Sequence, residues 1–182
     1  MKRVALTFIG KDRPGLIAEI TRNLFETGCN IEDTTMTLLE GEFAMILIAT
    51  LPTPAVEKKL AKAFKRLRSR WGLHCFIKTV AGGVVRGEKH PPGTEVYVIS
   101  VAGRDRTGIV YETSRILAQH RLNITDLNSK ILGKGNKPVF MMIMEADIPK
   151  RFNLKKLNPA WRRLRDELGL DVTVRRLDRL SF

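Results

Sequence analysis

The sequence predicts an α+β protein built from two consecutive copies of one βαββαβ unit. The main observation is an internal repeat, in which residues 10–17 match residues 103–110 and the correspondence then runs without a gap to Asp33 and Asp126. It resumes after a short insertion around 133–138 and continues through the rest of the second copy. A repeat of this length indicates that both halves of the chain adopt the same fold.

A segment rich in glycine and proline separates the two copies. Residues 81–93 break both the helical and the strand periodicity, which is typical of a connecting segment. We therefore predict a first domain at 1–80, a linker at 81–93 and a second domain at 94–182.

The first half of each unit has the pattern strand, loop, helix. Residues 4–9 form an apolar run of strand length. Leu16, Ile20 and Leu24 then recur at helical spacing, and Asp12 stands near the expected helix start, where it could act as a cap. The equivalent aspartate of the second copy is Asp105.

The second half of each unit predicts a hairpin, a helix and a last strand. Residues 30–39 and 43–50 flank a Glu-Gly-Glu turn, and 55–70 place apolar side chains on one face of a helix that ends at Gly72. Residues 74–80 complete the unit. The order βαββαβ is that of the ferredoxin-like fold, an antiparallel four-stranded sheet with two helices on one face. Because the other face stays uncovered, we expect pairing of the units or a homodimer.

Composition indicates a globular protein with an unusual positive charge. The chain has 43% hydrophobic and 28% charged residues and a formal net charge of +13. The N-terminus lacks the features of a signal peptide or a transmembrane helix, so we expect a cytoplasmic protein without membrane attachment.

The two cysteines, Cys29 and Cys75, are too few for a disulfide scaffold. They begin strands at opposite sheet edges and should not form a disulfide.

The positive charges concentrate around the second predicted helix of each copy. Such a surface could bind nucleic acid directly or dock an acidic protein such as a transcription factor, but a basic helix face is more often simply solvated. No helix-turn-helix, zinc finger or aromatic RNA-binding motif accompanies it, so direct nucleic-acid binding is the less favoured alternative. The residues concerned are Lys58, Lys59, Lys62, Lys65, Arg66, Arg68, Arg70, Lys150, Arg151, Lys155, Lys156, Arg162, Arg163 and Arg165.

The loop between the first strand and the first helix is the best candidate for ligand binding. Gly15 at the helix start lets a ligand approach the backbone, and the free amides of Gly15 and Leu16 would attract a carboxylate. Asn30, which opens the second strand, can accept a hydrogen bond from an ammonium group. This combination suits a zwitterion. The alternative is a purely structural role, in which these residues serve only as helix caps and turns. A duplication would copy structural residues as well.

No catalytic constellation is visible in the sequence. An enzyme would need a nucleophile with a base, paired acids or a metal cluster, whereas His74, His90 and His120 are scattered along the chain. Neither cysteine has a partner at metal-ligand spacing, and no phosphate-binding loop is present. We therefore expect a protein that is not an enzyme and needs no cofactor or metal.

The motifs resemble those of a known family. Asp-Arg-x-Gly after the first strand, Asn-Ile at the start of the second and the duplicated βαββαβ pattern resemble ACT domains, and the tandem layout is similar to that of glycine cleavage system transcriptional repressor proteins. The resemblance implies amino-acid binding at an interface between two domains, and regulation of amino-acid metabolism, with glycine as one candidate, through a transcriptional partner. The implied ligand-binding residues are Asp12, Gly15, Leu16, Asn30, Ile31, Asp105, Gly108, Ile109, Asn123 and Ile124.

Overall fold

The computed structural model of the protein describes residues 2–80, 90–133 and 138–177. The chain divides into two units, Met1–Gly87 and Glu88–Phe182. The first unit contains β1 (Lys2–Lys11), α1 (Leu16–Glu26), β2 (Asn30–Leu39), β3 (Glu42–Leu51), α2 (Pro54–Trp71) and β4 (His74–Thr79). The second unit contains β5 (Thr94–Arg104), α3 (Ile109–Gln119), β6 (Asn123–Leu132), β7 (Val139–Pro149), a 3₁₀ helix (Leu154–Leu157), α4 (Asn158–Leu168) and β8 (Asp171–Arg176).

Each unit forms one antiparallel four-stranded sheet. The strand order is β2-β3-β1-β4 in the first unit and β6-β7-β5-β8 in the second. Alternate residues of β3, such as Phe43, Met45 and Leu47, are buried against the two helices. Between them, Ile46 stays exposed, as the period of two in a strand requires. The predicted α+β ferredoxin-like fold is confirmed in both copies.

The turn between β2 and β3 follows from its two central residues. Glu40 and Gly41 both have positive φ, at 49° and 84°, as a type I′ hairpin turn needs. The predicted tight turn is therefore present in the first unit. The corresponding insertion of the second unit falls largely on residues 134–137, which lie outside the described ranges, as does the predicted linker over 81–89.

The second helix is shorter in the second unit than the repeat suggests. There α4 begins at Asn158, and the preceding residues Leu154–Leu157 form a 3₁₀ turn. Asn153 accepts a hydrogen bond from the backbone N–H of Lys155 at 3.0 Å, which stabilises this separate turn. Lys155 and Lys156 thus lie before the helix, and Lys150 and Arg151 lie in the turn that follows β7, so only part of the predicted basic set occupies α4.

Phe64 and Trp161 occupy equivalent places in the two cores. They are 5% and 7% exposed, and the leucines four residues before and three residues after each are also buried. Phe64 additionally meets Phe8 edge to face, with ring centroids 5.1 Å apart. The prediction that both aromatic residues anchor the second helix beneath its sheet is confirmed.

The two thiols belong to opposite sides of the first sheet. Cys29 directly precedes β2 and Cys75 lies in β4, and these are the two outermost strands. Both cysteines are free and half-buried. The topology therefore separates them as the sequence predicts.

We expect Cys75 to react slowly with alkylating reagents in the folded protein. Burial raises the pKa of its thiol from an ordinary 9.0 to about 11, so at pH 8 its thiolate fraction falls about a hundredfold. Because each remaining thiolate is about tenfold more nucleophilic, the net rate should fall about tenfold. Iodoacetamide labelling followed by mass spectrometry, in native buffer and in urea, measures the ratio. Equal rates in the two conditions would contradict the buried environment.

Candidate functional site

Both first helices begin at a glycine in a left-handed conformation. Gly15 and Gly108 are the N-cap residues, with φ of 92° and 98°, and neither helix start receives a side-chain cap. The interpretation of Asp12 and Asp105 as caps is therefore wrong. Since the glycine itself turns the chain into the helix, the aspartate lies too early in the loop to reach the first-turn amides.

The aspartates instead anchor the loop through their backbone. The amide of Asp12 donates to the carbonyl of Gly41 in the β2–β3 turn at 2.8 Å, and that of Asp105 donates to Pro138 at 3.0 Å. The side chain of Asp12 is exposed and that of Asp105 is half-buried. Both carboxylates therefore border the helix start without satisfying its amides.

The helix starts offer backbone donors rather than side chains. The first helical hydrogen bond of α1 runs from Glu19 N–H to the Gly15 carbonyl at 2.9 Å, so the preceding amides have no intrahelical acceptor. The side chains of Leu16 and Ile109 are each 2% exposed and belong to the cores. Of the predicted ligand contacts, these two residues can therefore contribute only their N–H groups.

An acidic residue in the first helical turn is neutralised by a neighbour. Glu19 receives a hydrogen bond from Arg22 at 2.6 Å, and that bond lowers the pKa of Glu19 despite an opposing effect of desolvation. Glu112 and Arg115 form the same pair in the second unit at 2.5 Å. A negative ligand group at either helix start consequently meets little repulsion from the first turn.

A shallow depression of about 380 Å³ lies at the start of α1 in the first unit. Its lining includes Asp12, Gly15 and Met36. Beside it, the Arg13 guanidinium stacks over the ring of Trp71 at 4.7 Å, and the buried indole N–H of Trp71 has no hydrogen-bond partner within the described ranges. This pair was not predicted from the sequence, where the only signal is that Trp71 of the first copy corresponds to Leu168 of the second.

The asparagines lie at the other end of the unit. Asn30 and Asn123 open β2 and β6 with exposed side chains, next to half-buried Ile31 and Ile124. Asn30 pairs with Thr50, which pairs on its other side with Arg3. From Arg3 to Asp12 the chain advances nine residues, and at about 3.3 Å each the two ends lie roughly 30 Å apart. One unit therefore does not bring its predicted carboxylate and ammonium contacts together.

The asparagine end of each sheet carries a buried carboxylate that the sequence analysis did not identify. In the first unit it is Glu32, which pairs with Arg3 at 2.8 Å. In the second it is Asp147, whose Oδ1 lies 2.6 Å from Nδ1 of His90. The sequence indicates the second carboxylate only through a difference between the copies, because Asp147 stands where the first copy has Thr50.

The basic surface is concentrated on α2. This helix carries seven lysines and arginines against one acidic residue, Glu57, which pairs with Lys2 at 2.5 Å. By contrast, α4 has three arginines and two acidic residues, and Arg163 pairs with Glu167 at 2.8 Å. The basic surface is therefore unequal in the two copies, because the second helix of the second unit is shorter and partly neutralised.

The described residues contain neither a metal-binding cluster nor a membrane-spanning helix. Among residues 2–80, 90–133 and 138–177, no group of three or more histidine, cysteine, aspartate or glutamate side chains is arranged to hold a metal ion. In the same part of the chain, no helix combines the length and apolar character required to cross a bilayer.

Comparison with known proteins gives matches along nearly the whole chain. The glycine cleavage system transcriptional repressor of Escherichia coli is 24% identical over 185 residues, covering 94% of this chain and 88% of that protein. A UPF0237 protein of Methanococcus maripaludis is 38% identical over 81 residues, which is 44% of this chain and 86% of that protein. The second relative thus corresponds in length to one unit.

Solved structures and family models agree on the fold. The crystal structure of an unknown protein from Galdieria sulphuraria superposes with a TM-score of 0.79 at 23% identity and covers 97% of this chain and 99% of its own. The ACT domain model matches twice, over residues 2–78 and 95–175. These matches coincide with the two βαββαβ units, and the chain belongs to the ACT domain family.

Proposed function

We propose that the protein is a non-catalytic regulator that binds a small amino acid and controls amino-acid metabolism, with glycine as a candidate, through a transcriptional partner. The observation that carries the proposal is the pair of uncapped helix starts at Gly15 and Gly108, each with unsatisfied backbone donors. Membership of the ACT family and similarity to a transcriptional repressor support a small-molecule-binding regulatory role.

The ligand would lie between two units rather than within one. Amides at one helix start would hold its carboxylate, and an asparagine at the start of a second strand would accept from its ammonium group. Because these elements lie roughly 30 Å apart in a single unit, the second contact would come from another unit. That unit would belong to a second copy of the chain in a homodimer, and we propose a cytoplasmic location for the assembly.

A calorimetric screen of the twenty common amino acids, repeated at 50 and 200 mM salt, tests the proposal. We expect at least one amino acid to bind, with an affinity that changes less than about threefold between the two conditions because a buried zwitterion has no net charge. Failure of all twenty to bind at millimolar concentration would refute the proposal.

The alternative function is binding of nucleic acid through α2. Its support is the seven exposed cations of this helix, none of which forms an ion pair within the described ranges. Binding through six or more phosphate contacts would weaken about a thousandfold or more between 50 and 200 mM salt.

A charge-reversed α2 variant tests whether this helix contacts the DNA. Lys62→Glu with Arg66→Glu should abolish binding to a random duplex DNA if the alternative holds, while amino-acid binding stays unchanged. Duplex affinity equal to that of the wild type in gel-shift assays would exclude α2 as the DNA contact.

A further inference from the structure

The two units differ in the polar groups at the asparagine end of their sheets. In the first unit, Thr50 of β3 lies between Arg3 of β1 and Asn30 of β2. At the equivalent place in the second unit, Asp147 of β7 lies between Val96 of β5 and Asn123 of β6. The duplicated fold therefore presents different chemistry beside equivalent asparagines.

In the first unit, the buried carboxylate has both an opposite charge and hydrogen-bond donors beside it. Glu32 is the extra residue of the bulge in β2, and its side chain is 4% exposed. It accepts hydrogen bonds from Arg3 Nε at 2.9 Å and from the Thr50 hydroxyl. This acid, arginine and hydroxyl form a closed network that leaves no need for an added cation.

The second unit has exchanged the positions of the acid and the threonine. Thr125 replaces Glu32 in the bulge, Asp147 replaces Thr50, and the arginine has become Val96. The Thr125 hydroxyl donates to the Glu145 carbonyl at 3.4 Å and does not reach the aspartate. The second unit thus retains a buried carboxylate but has lost both groups that satisfy its counterpart.

Asp147 is left with one unsatisfied oxygen. The residue is 4% exposed, and its Oδ1 lies 2.6 Å from Nδ1 of His90. Its Oδ2 is buried and has no hydrogen-bond partner in the described ranges. A buried acceptor without a partner is rare and destabilising, so a donor that reached this oxygen would be bound strongly.

The neighbouring asparagine supplies a second acceptor at this end of the sheet. Asn123 lies directly opposite Asp147 in the register and is exposed. Residues directly opposite in antiparallel strands have Cβ atoms about 4.5 to 5.5 Å apart. The Asn123 amide oxygen and the Asp147 carboxylate are therefore neighbouring acceptors, the first exposed and the second buried.

We propose that Asp147 and Asn123 form a subsite for the ammonium group of the amino-acid ligand, and that the first unit lacks this subsite. The inference rests on the proposed function. An ammonium group has three donors and no acceptor, so it matches two adjacent acceptors of which one is charged. Each chain then has one strong site, formed with the second unit, rather than two equivalent sites.

The test compares Asp147→Asn with the wild type by calorimetry. The probes are the amino acid that binds most tightly in the screen and its 2-hydroxy-acid analogue, which lacks the ammonium group. Asp147→Asn should bind the amino acid about tenfold to a hundredfold more weakly, the loss expected for one charge-assisted hydrogen bond. Affinity for the hydroxy acid should change less than about threefold.

Two variants control for charge and folding. Asp166→Asn makes the same change in net charge at an exposed position of α4 and should bind like the wild type. Asp147→Thr introduces the residue that the first unit has at this place and should show the same loss of amino-acid affinity. With two variants, poor folding of one does not decide the result. Thermal melting verifies that each variant is folded.

The outcomes separate the inference from the proposed function. Wild-type affinity in both Asp147 variants, or two equivalent sites per chain, would overturn the inference and leave amino-acid sensing intact. If no amino acid binds, the proposed function fails, and methylammonium chloride becomes the probe. If methylammonium shifts the NMR signals of the Asn123 and Asp147 backbone amides in the wild type but not in Asp147→Asn, the subsite is still supported. If it shifts neither signal in the wild type, the subsite is refuted.

Discussion

Replacing Phe64 by alanine is expected to lower the free energy of unfolding of the first unit by roughly 3 to 5 kcal/mol. The side chain is 5% exposed, so its removal leaves a cavity in the core of the first unit. The variant also loses the edge-to-face contact with Phe8, which places the effect in the upper part of this range. The melting temperature of a domain of this size should fall by at least about 12 °C.

The equivalent variant of the second unit, Trp161→Ala, should destabilise that unit by a similar amount. Hydrogen exchange measured by mass spectrometry reports β3 and β7 separately and identifies which unit is affected. Lys62→Ala, at an exposed position of α2, is the matched control and should change stability by less than about 0.5 kcal/mol. A near-neutral effect of both aromatic variants would contradict the observed packing of α2 and α4.

Replacing both Gly15 and Gly108 by valine is expected to abolish amino-acid binding. A side chain at the helix start would block the approach of a carboxylate to the amides, and each lost charge-assisted hydrogen bond weakens binding about tenfold to a hundredfold. The φ angles of 92° and 98° also strain a β-branched residue, so each substitution should cost about 1 to 3 kcal/mol in stability. Calorimetry on the folded fraction measures the loss of affinity.

The control for this strain is Gly133→Val. Gly133 has the same φ of 92° as Gly15, and an added Cβ there meets no described atom within 4 Å. It should therefore lose stability and retain binding. Asn123→Ala should weaken binding about tenfold to a hundredfold without a backbone penalty. Undiminished binding in the double glycine variant would show that the ligand does not use these helix starts.

The sequence alone was sufficient to predict the fold and most element boundaries. The hairpin turn at Glu40 and Gly41, the end of α2 at Gly72 and the buried positions of Phe64 and Trp161 all follow from short-range patterns. Such features depend on turn chemistry and on the spacing of apolar residues, and both are determined by residues that are close together in the sequence. The duplicated pattern then required the same architecture in both halves.

The tertiary structure decided which predicted residues can act together. Asp12 does not cap its helix, because Gly15 turns the chain first. Gly15 and Asn30 lie at opposite ends of one unit, and Asp147 lies beside Asn123. These relations depend on the pairing of strands that are distant in the sequence. The repeat predicts the same fold for both copies. It does not predict that Glu32 has its hydrogen-bond donors and that one oxygen of Asp147 has none, because this depends on which side chains the sheet register places opposite them.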